Sequence, residues 1–233
     1  ACRRLLAQAE SAFSDRPAPI LRLRWLRLRL AQATARGDTD AARSILSTAA
    51  ELGTTSPWWS ITEARWWMDQ ARWDRAENLA KQVFDEYRHP IVLRVSAGRL
   101  LAALFLQGQR IERAIDIARE TQTMAVQANL EVHALAMELL LEALDGSDDQ
   151  GWSRLFDRAV RDRWSGLQLW AMELAAIRAQ QQENIPLAKQ AWERLILRAQ
   201  LLGHQGLRRR TMANLRALSV SAIRTGPDAP TQT

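Results

Sequence analysis

The chain has 233 residues, 47% hydrophobic and 25% charged, a balance that excludes intrinsic disorder and supplies enough apolar surface for a packed core. No stretch approaches the ~18 uninterrupted apolar residues of a membrane span, and the single cysteine, Cys2, excludes an internal disulfide framework. The net charge of +6 is almost wholly arginine, since Lys81 and Lys189 are the only lysines. It lies at the two ends: residues 1–30 hold seven arginines against Glu10 and Asp15, and residues 198–224 hold six against no acid. Residues 111–150 carry nine acids against Arg113 and Arg119. Basic ends around an acidic middle favour oriented protein contacts over uniform coating of nucleic acid. The chain shows neither an initiator Met nor a signal-peptide pattern, so it reads as an excised or processed piece of a longer protein, with a cytoplasmic location favoured.

Residues 1–19 are expected to form a short amphipathic capping helix (Leu5, Leu6, Ala9, Phe13) ended by Asp15-Arg16-Pro17-Ala18-Pro19. The following Leu/Arg tract alternates like a strand, but the alternation slips phase at Trp25-Leu26, so no strand face would be wholly apolar. Wound at about 100° per residue it gives two apolar flanks, Leu21, Trp25 and Leu28 opposite Leu23, Leu26 and Leu30, with Arg24 and Arg27 together on one edge. A helix sandwiched between neighbours requires two such flanks. The partner helix begins at the N-cap Asp38 and ends at Gly53.

A tryptophan-rich helix follows, with Ile61, Ala64, Met68 and Ala71 as its core stripe and Trp59, Trp66 and Trp73 recurring every seven residues on another face. That second face either packs on the preceding pair or forms an exposed aromatic patch for a partner. Residues 90–128 repeat the hairpin, as do 130–164 and 166–203, and residues 145–151 form a polar, solvated loop. A closing helix over 204–224 serves as the carboxy-terminal cap. Its Arg208-Arg209-Arg210 run lies near a first turn, where the helix dipole disfavours cations, and an acidic partner would offset that. The tail, 225–233, reads as disordered.

The layout is periodic. The small residue opening each second helix, Ala42, Ala76, Ala114 and Ala188, recurs after 34, 38 and 74 residues. Helix pairs at this interval predict an all-α, helical solenoid of about five antiparallel pairs (20–53, 57–88, 90–128, 130–164, 166–203) with terminal caps. In the fourth pair the anchor alanine is replaced by Gly151-Trp152.

Together with Ala64, Ala102 and Ala176 eight residues before their turns and the aromatics Trp67 and Phe105 three residues later, these anchors resemble the tetratricopeptide family in a divergent bacterial form. The resemblance covers roughly residues 20–203 and implies a right-handed superhelix whose first helices line a concave groove for a peptide. Carried over by position, the groove residues are Arg24, Arg27 and Ala31; Trp58, Ile61 and Arg65; Ser96, Arg99 and Ala103; and Trp170, Glu173 and Ile177. The helical wheel independently separates Arg24 and Arg27 from both apolar flanks. Arginines beside a tryptophan suit an acidic segment, through bidentate and cation–π contacts. The family's carboxylate-clamp lysine and asparagine are absent at these positions, so chaperone-tail binding is not implied.

The expected binding surface is therefore Arg24, Arg27, Trp58, Arg65, Trp66 and Arg99, with Arg208, Arg209 and Arg210 as a second basic patch. His89, His133 and His204 have no second ligand at helical spacing, and no nucleophile elbow, phosphate loop or zinc motif is present. No catalysis, metal or cofactor is expected. The chain reads as a scaffold or adaptor that binds a protein or peptide with acidic segments, and self-association is compatible with it. It is also similar to the helical-repeat sensor arms of bacterial transcription activators. Nucleic-acid binding, suggested by the arginine-rich ends, is opposed by the acidic middle.

Overall fold

In a computed structural model of the chain, residues 19–53, 56–145, 149–161 and 164–224 are described. Residues 1–18 of the capping segment expected over 1–19, the 225–233 tail and the centre of the polar loop lie outside them. Among the described residues there are eleven helices and no strand: α1 (Pro19–Arg36), α2 (Thr39–Glu51), α3 (Pro57–Asp69), α4 (Trp73–Asp85), α5 (Ile91–Gln107), α6 (Ile111–Gln127), α7 (Glu131–Asp145), α8 (Asp149–Arg161), α9 (Ser165–Gln181), α10 (Ile185–Leu201) and α11 (Gln205–Arg224). None is long and apolar enough to cross a membrane.

Four of the pairs are made by one local device. The first helix ends in a left-handed residue, and the next N–H reaches back to a carbonyl five residues earlier, satisfying an acceptor that helix termination leaves unpaired. Asp38 thus donates to Ala33 (2.9 Å), Arg72 to Trp67 (3.0 Å), Arg110 to Phe105 (2.8 Å) and Asn184 to Ala179 (2.9 Å). Gly37 takes the positive φ in the first turn; Ala71, Gln109 and Glu183 take it in the later ones. These positions recur at the intervals of the anchor alanines, and Ala42, Ala76, Ala114 and Ala188 are fully buried. A methyl group is all that the closing of each pair leaves room for. Asp38 also caps α2 by accepting from the Ala41 N–H at 3.1 Å, and Asn184 caps α10 by accepting from Leu187 at 3.1 Å.

Consecutive helices pack along most of the chain, and first helices of successive pairs also touch: α1 with α3, α3 with α5, α5 with α7, and α7 with α9. Helix α5 is accordingly buried on nearly every side, from Leu93 to Leu106. One contact breaks this local order. Helix α11 packs on α10 as a cap would, but it also meets α1 and α3.

The Leu/Arg tract is helical, and only one of its two expected flanks is buried. Leu23, Leu26 and Leu30 pack with Ala42, Ile45, Trp59 and Trp66, whereas Leu21 and Leu28 remain 42% and 56% exposed. Trp25, expected on that same flank, is half-buried against the core, with the Arg29 guanidinium 4.6 Å from its ring centroid. The described helices that touch α1 are α2, α3 and α11, and they leave Leu21 and Leu28 uncovered.

Trp66 corrects a further expectation. It is 3% exposed, held edge-on to Trp67 at 4.3 Å and packed with the α1–α2 core, so it presents no surface to a partner. Glu63 satisfies the buried indole of Trp59 and the half-buried indole of Trp67, one turn away on either side. Its carboxylate accepts from Trp59 Nε1 at 3.1 Å and from Trp67 Nε1 at 3.0 Å, satisfying N–H groups that burial would otherwise leave unpaired.

Candidate functional site

Helices α1, α3, α5 and α9, together with α11, line an open pocket of about 410 Å³. Helix α3 contributes Arg65 and, one turn on, Asp69; α5 contributes Arg99; α9 contributes Trp170 and Glu173; α11 contributes Arg210. The remaining wall is largely apolar, including Met68, Leu100, Ala103 and Leu169.

Its charges divide into two groups. In the first, Arg210 donates to Asp69 at 2.8 Å and to Glu173 at 3.4 Å, with all three side chains at most 16% exposed. Glu173 also accepts from Gln107 Nε2 at 3.0 Å. Burial opposes the charge on Arg210, but Glu173 and Asp69 together outweigh it and hold the guanidinium more firmly protonated than a free arginine. Asp69 shares that single cation with Glu173. Burial therefore prevails there and, helped by the like charge of Glu173, pushes the carboxyl up.

The second group, Arg65 and Arg99, is positive and forms no ion pair among the described residues, although Asp69 partly offsets the charge of Arg65. Asp69, the acid that acts on that charge, is itself paired with Arg210. Arg65 keeps an exposed surface, and that surface lines the cavity. Desolvation by the surrounding helices lowers its pKa, as does Arg27, while Asp69 opposes the shift. Burial and the neighbouring Arg65 pull Arg99 down to about 10, which leaves it charged at neutral pH.

Arg99 meets Nδ1 of His133 at 3.3 Å. A guanidinium can only donate, so the ring nitrogen accepts and the imidazole is neutral. Burial first, then Arg99 and Arg65, lower the His133 pKa from 6.5 to about 4. Because the folded value lies below the unfolded one, the stability associated with the neutral ring is complete above about pH 6.5 and is lost as pH falls towards 4. Roughly 1–2 kcal/mol is expected to go, after allowance for solvent reaching the ring. An NMR titration of the His133 ring should show its midpoint near 4, and a midpoint above 6 would contradict the contact.

A second pocket, about 380 Å³, opens between α1 and α3 and is lined by Leu23, Arg24, Arg27, Ser56, Trp58 and Trp59. The Arg27 guanidinium lies 5.1 Å from the centroid of Trp58, which is 40% exposed. Arg24 is exposed beside it.

The expected surface is thus distributed over two places. Arg24, Arg27 and Trp58 share the outer pocket, while Arg65, Arg99, Ala31, Ala103, Trp170 and Glu173 surround the cavity. Ile61 and Ser96, at 3% and 6% exposure, are packing residues, because α3 and α5 turn those positions toward neighbouring helices. Ile177 is half-buried against the core.

The Arg208–Arg210 run is not one basic patch. Arg210 points inward to Asp69 and Glu173, Arg208 is half-buried and donates to Gln205 Oε1 at 3.3 Å, and Arg209 alone of the three is exposed. Successive residues of a helix diverge by about 100°, so three in a row cannot share a face.

Asp69, Gln107 and His133 are not among the expected site residues, and Arg210 is expected on a separate basic patch instead of in this pocket. One signal was present: Arg65, Arg99 and His133 are each 34 residues apart, which places a basic residue at one repeat interval on three successive first helices. Among the described residues, no group of three or more His, Cys, Asp or Glu side chains is placed to hold a metal ion. Compared with protein-family models, with curated proteins and with solved structures, the chain matches none.

Proposed function

We propose that the chain is a non-catalytic interaction module: a right-handed solenoid of about five helix pairs, similar to the tetratricopeptide repeats, that docks an acidic partner segment on its arginine-rich face. The observation that carries this reading is the outer pocket. Arg24 and Arg27 stand beside a partly exposed tryptophan with no ion-paired carboxylate among the described residues, and arginine with an exposed indole suits carboxylates carried on a partly apolar segment. Helix α11 packs on α1 and α3, so the accessible docking surface is this end of the face rather than its whole length.

Anisotropy of a short fluorescein-labelled Glu/Asp/Leu peptide tests the assignment. Binding that weakens with salt and falls about tenfold or more in Arg24→Glu/Arg27→Glu is expected. Equal binding by that variant rejects the docking site.

A second reading makes the chain the sensor arm of a larger bacterial transcription regulator. The pocket between these helices favours it, since a ligand there would touch α3, α5, α9 and α11 at once. A full-length protein carrying nucleotide-binding or DNA-binding domains is the expected finding, and a secretory signal in its place would count against it.

A further inference from the structure

Within the cavity, charge and shape call for the same kind of molecule. Arg210 is consumed by Asp69 and Glu173. Arg65 and Arg99 are not matched in this way, and the one polar partner of Arg99 is a neutral imidazole that orients the guanidinium without cancelling its charge. Two like charges held near each other, Arg99 half-buried and Arg65 open to the pocket, repel until an anion sits between them. The space they face is about 410 Å³, within the range of small-molecule sites. The lining also offers apolar surface: the Trp170 indole N–H is already committed to the Ala136 carbonyl at 3.0 Å, which leaves the indole ring as contact surface together with Leu169 and Leu100.

We propose that this cavity binds a small organic acid, its carboxylate held by Arg65 and Arg99 and its apolar body lying against Leu169 and Trp170. A guanidinium fork matches a carboxylate in geometry as well as in charge, and two of them set the anionic end on the α3–α5 side. A peptide is excluded from the same place by α11. At Gly206 the helix comes so close that an added Cβ would stand 2.6 Å from Asp69 Oδ2 and 3.3 Å from the Thr34 carbonyl, which leaves no continuous groove between α11 and the α1–α3 layer. The inference uses none of the outer-pocket residues, so it stands or falls separately from the docking of an acidic segment.

Isothermal titration of the whole chain with 4-phenylbutanoate and with its neutral counterpart 4-phenylbutanamide tests the proposal. The acid is expected to bind at least tenfold more tightly than the amide. Arg65→Gln and Arg99→Gln should each weaken the acid about tenfold and remove its advantage, while Arg24→Gln should leave both affinities unchanged. Arg65 lines the cavity with an exposed side chain, so Arg65→Gln tests the site even where Arg99→Gln fails to fold. Failure of both probes to bind, equal binding of acid and amide, or a preference retained in Arg65→Gln would overturn the assignment.

Discussion

Arg210→Met is expected to lower the melting temperature by about 10 °C at neutral pH. The substitution leaves Asp69 and Glu173, whose side chains are 13% and 5% exposed, facing each other without their shared cation. Removing one partner of a buried pair costs about 3–5 kcal/mol, because the remaining charge is neither hydrated nor matched. For a domain of this size each kcal/mol shifts the transition by about 2–4 °C.

The same substitution predicts a pH signature. Unpaired and buried, the two carboxyls should have folded pKa values above their unfolded ones, so the variant is relatively more stable below the unfolded values and loses that stability as pH rises through the folded ones. The gap to the parent chain should therefore narrow as pH falls from 7 towards 5, as followed by calorimetry. Arg210→Met combined with Asp69→Asn and Glu173→Gln should recover much of the loss, since neutral amides tolerate burial far better than unmatched carboxylates.

Gly98→Val should destabilise by about 3 kcal/mol or more. Gly98 sits in α5 where α4 and α6 come closest. A Cβ there would collide with Thr121 Oγ1 and stand 2.8 Å from Phe84 Cε2. Thr121 is fully buried and Phe84 is 4% exposed within the main core, so α5 cannot admit a larger side chain without displacing a neighbouring helix. The helix propensity gained by replacing glycine is at most about 1 kcal/mol and does not offset the overlap. Gly166→Ala is the control, because nothing lies within 4 Å of its added methyl; it should change stability by no more than about 0.5 kcal/mol. Urea midpoints of the two variants check the contrast, and equal midpoints would refute the close approach of α4, α5 and α6.

Much of this architecture is legible in the residues because it is local. The alanines at 42, 76, 114 and 188 announce where paired helices meet, and all four are fully buried. The phase slip at Trp25-Leu26 marks a helix, and α1 is one. The site is legible only in part, because it joins residues far apart in sequence. Arg210 and Asp69 are separated by 141 positions, and nothing in the Arg208–Arg210 run distinguishes the arginine that turns inward from the one that faces solvent. Gly206 reads as a helix-weakening residue until α3 is seen against it. Trp66 misleads for the opposite reason: a second apolar face on α3 serves equally as core or as patch, and the choice depends on α1 and α2 covering it.

The last helix returns to the first ones and brings Arg210 to the pocket that Arg65 and Arg99 line. A double-mutant cycle between Arg210→Met and Asp69→Asn measures that return most directly, because Arg210 on α11 and Asp69 on α3 interact only if the two helices meet. A coupling energy of about 2 kcal/mol is predicted for this buried pair. Additivity of the two substitutions to within about 0.5 kcal/mol would show that α11 does not line the pocket.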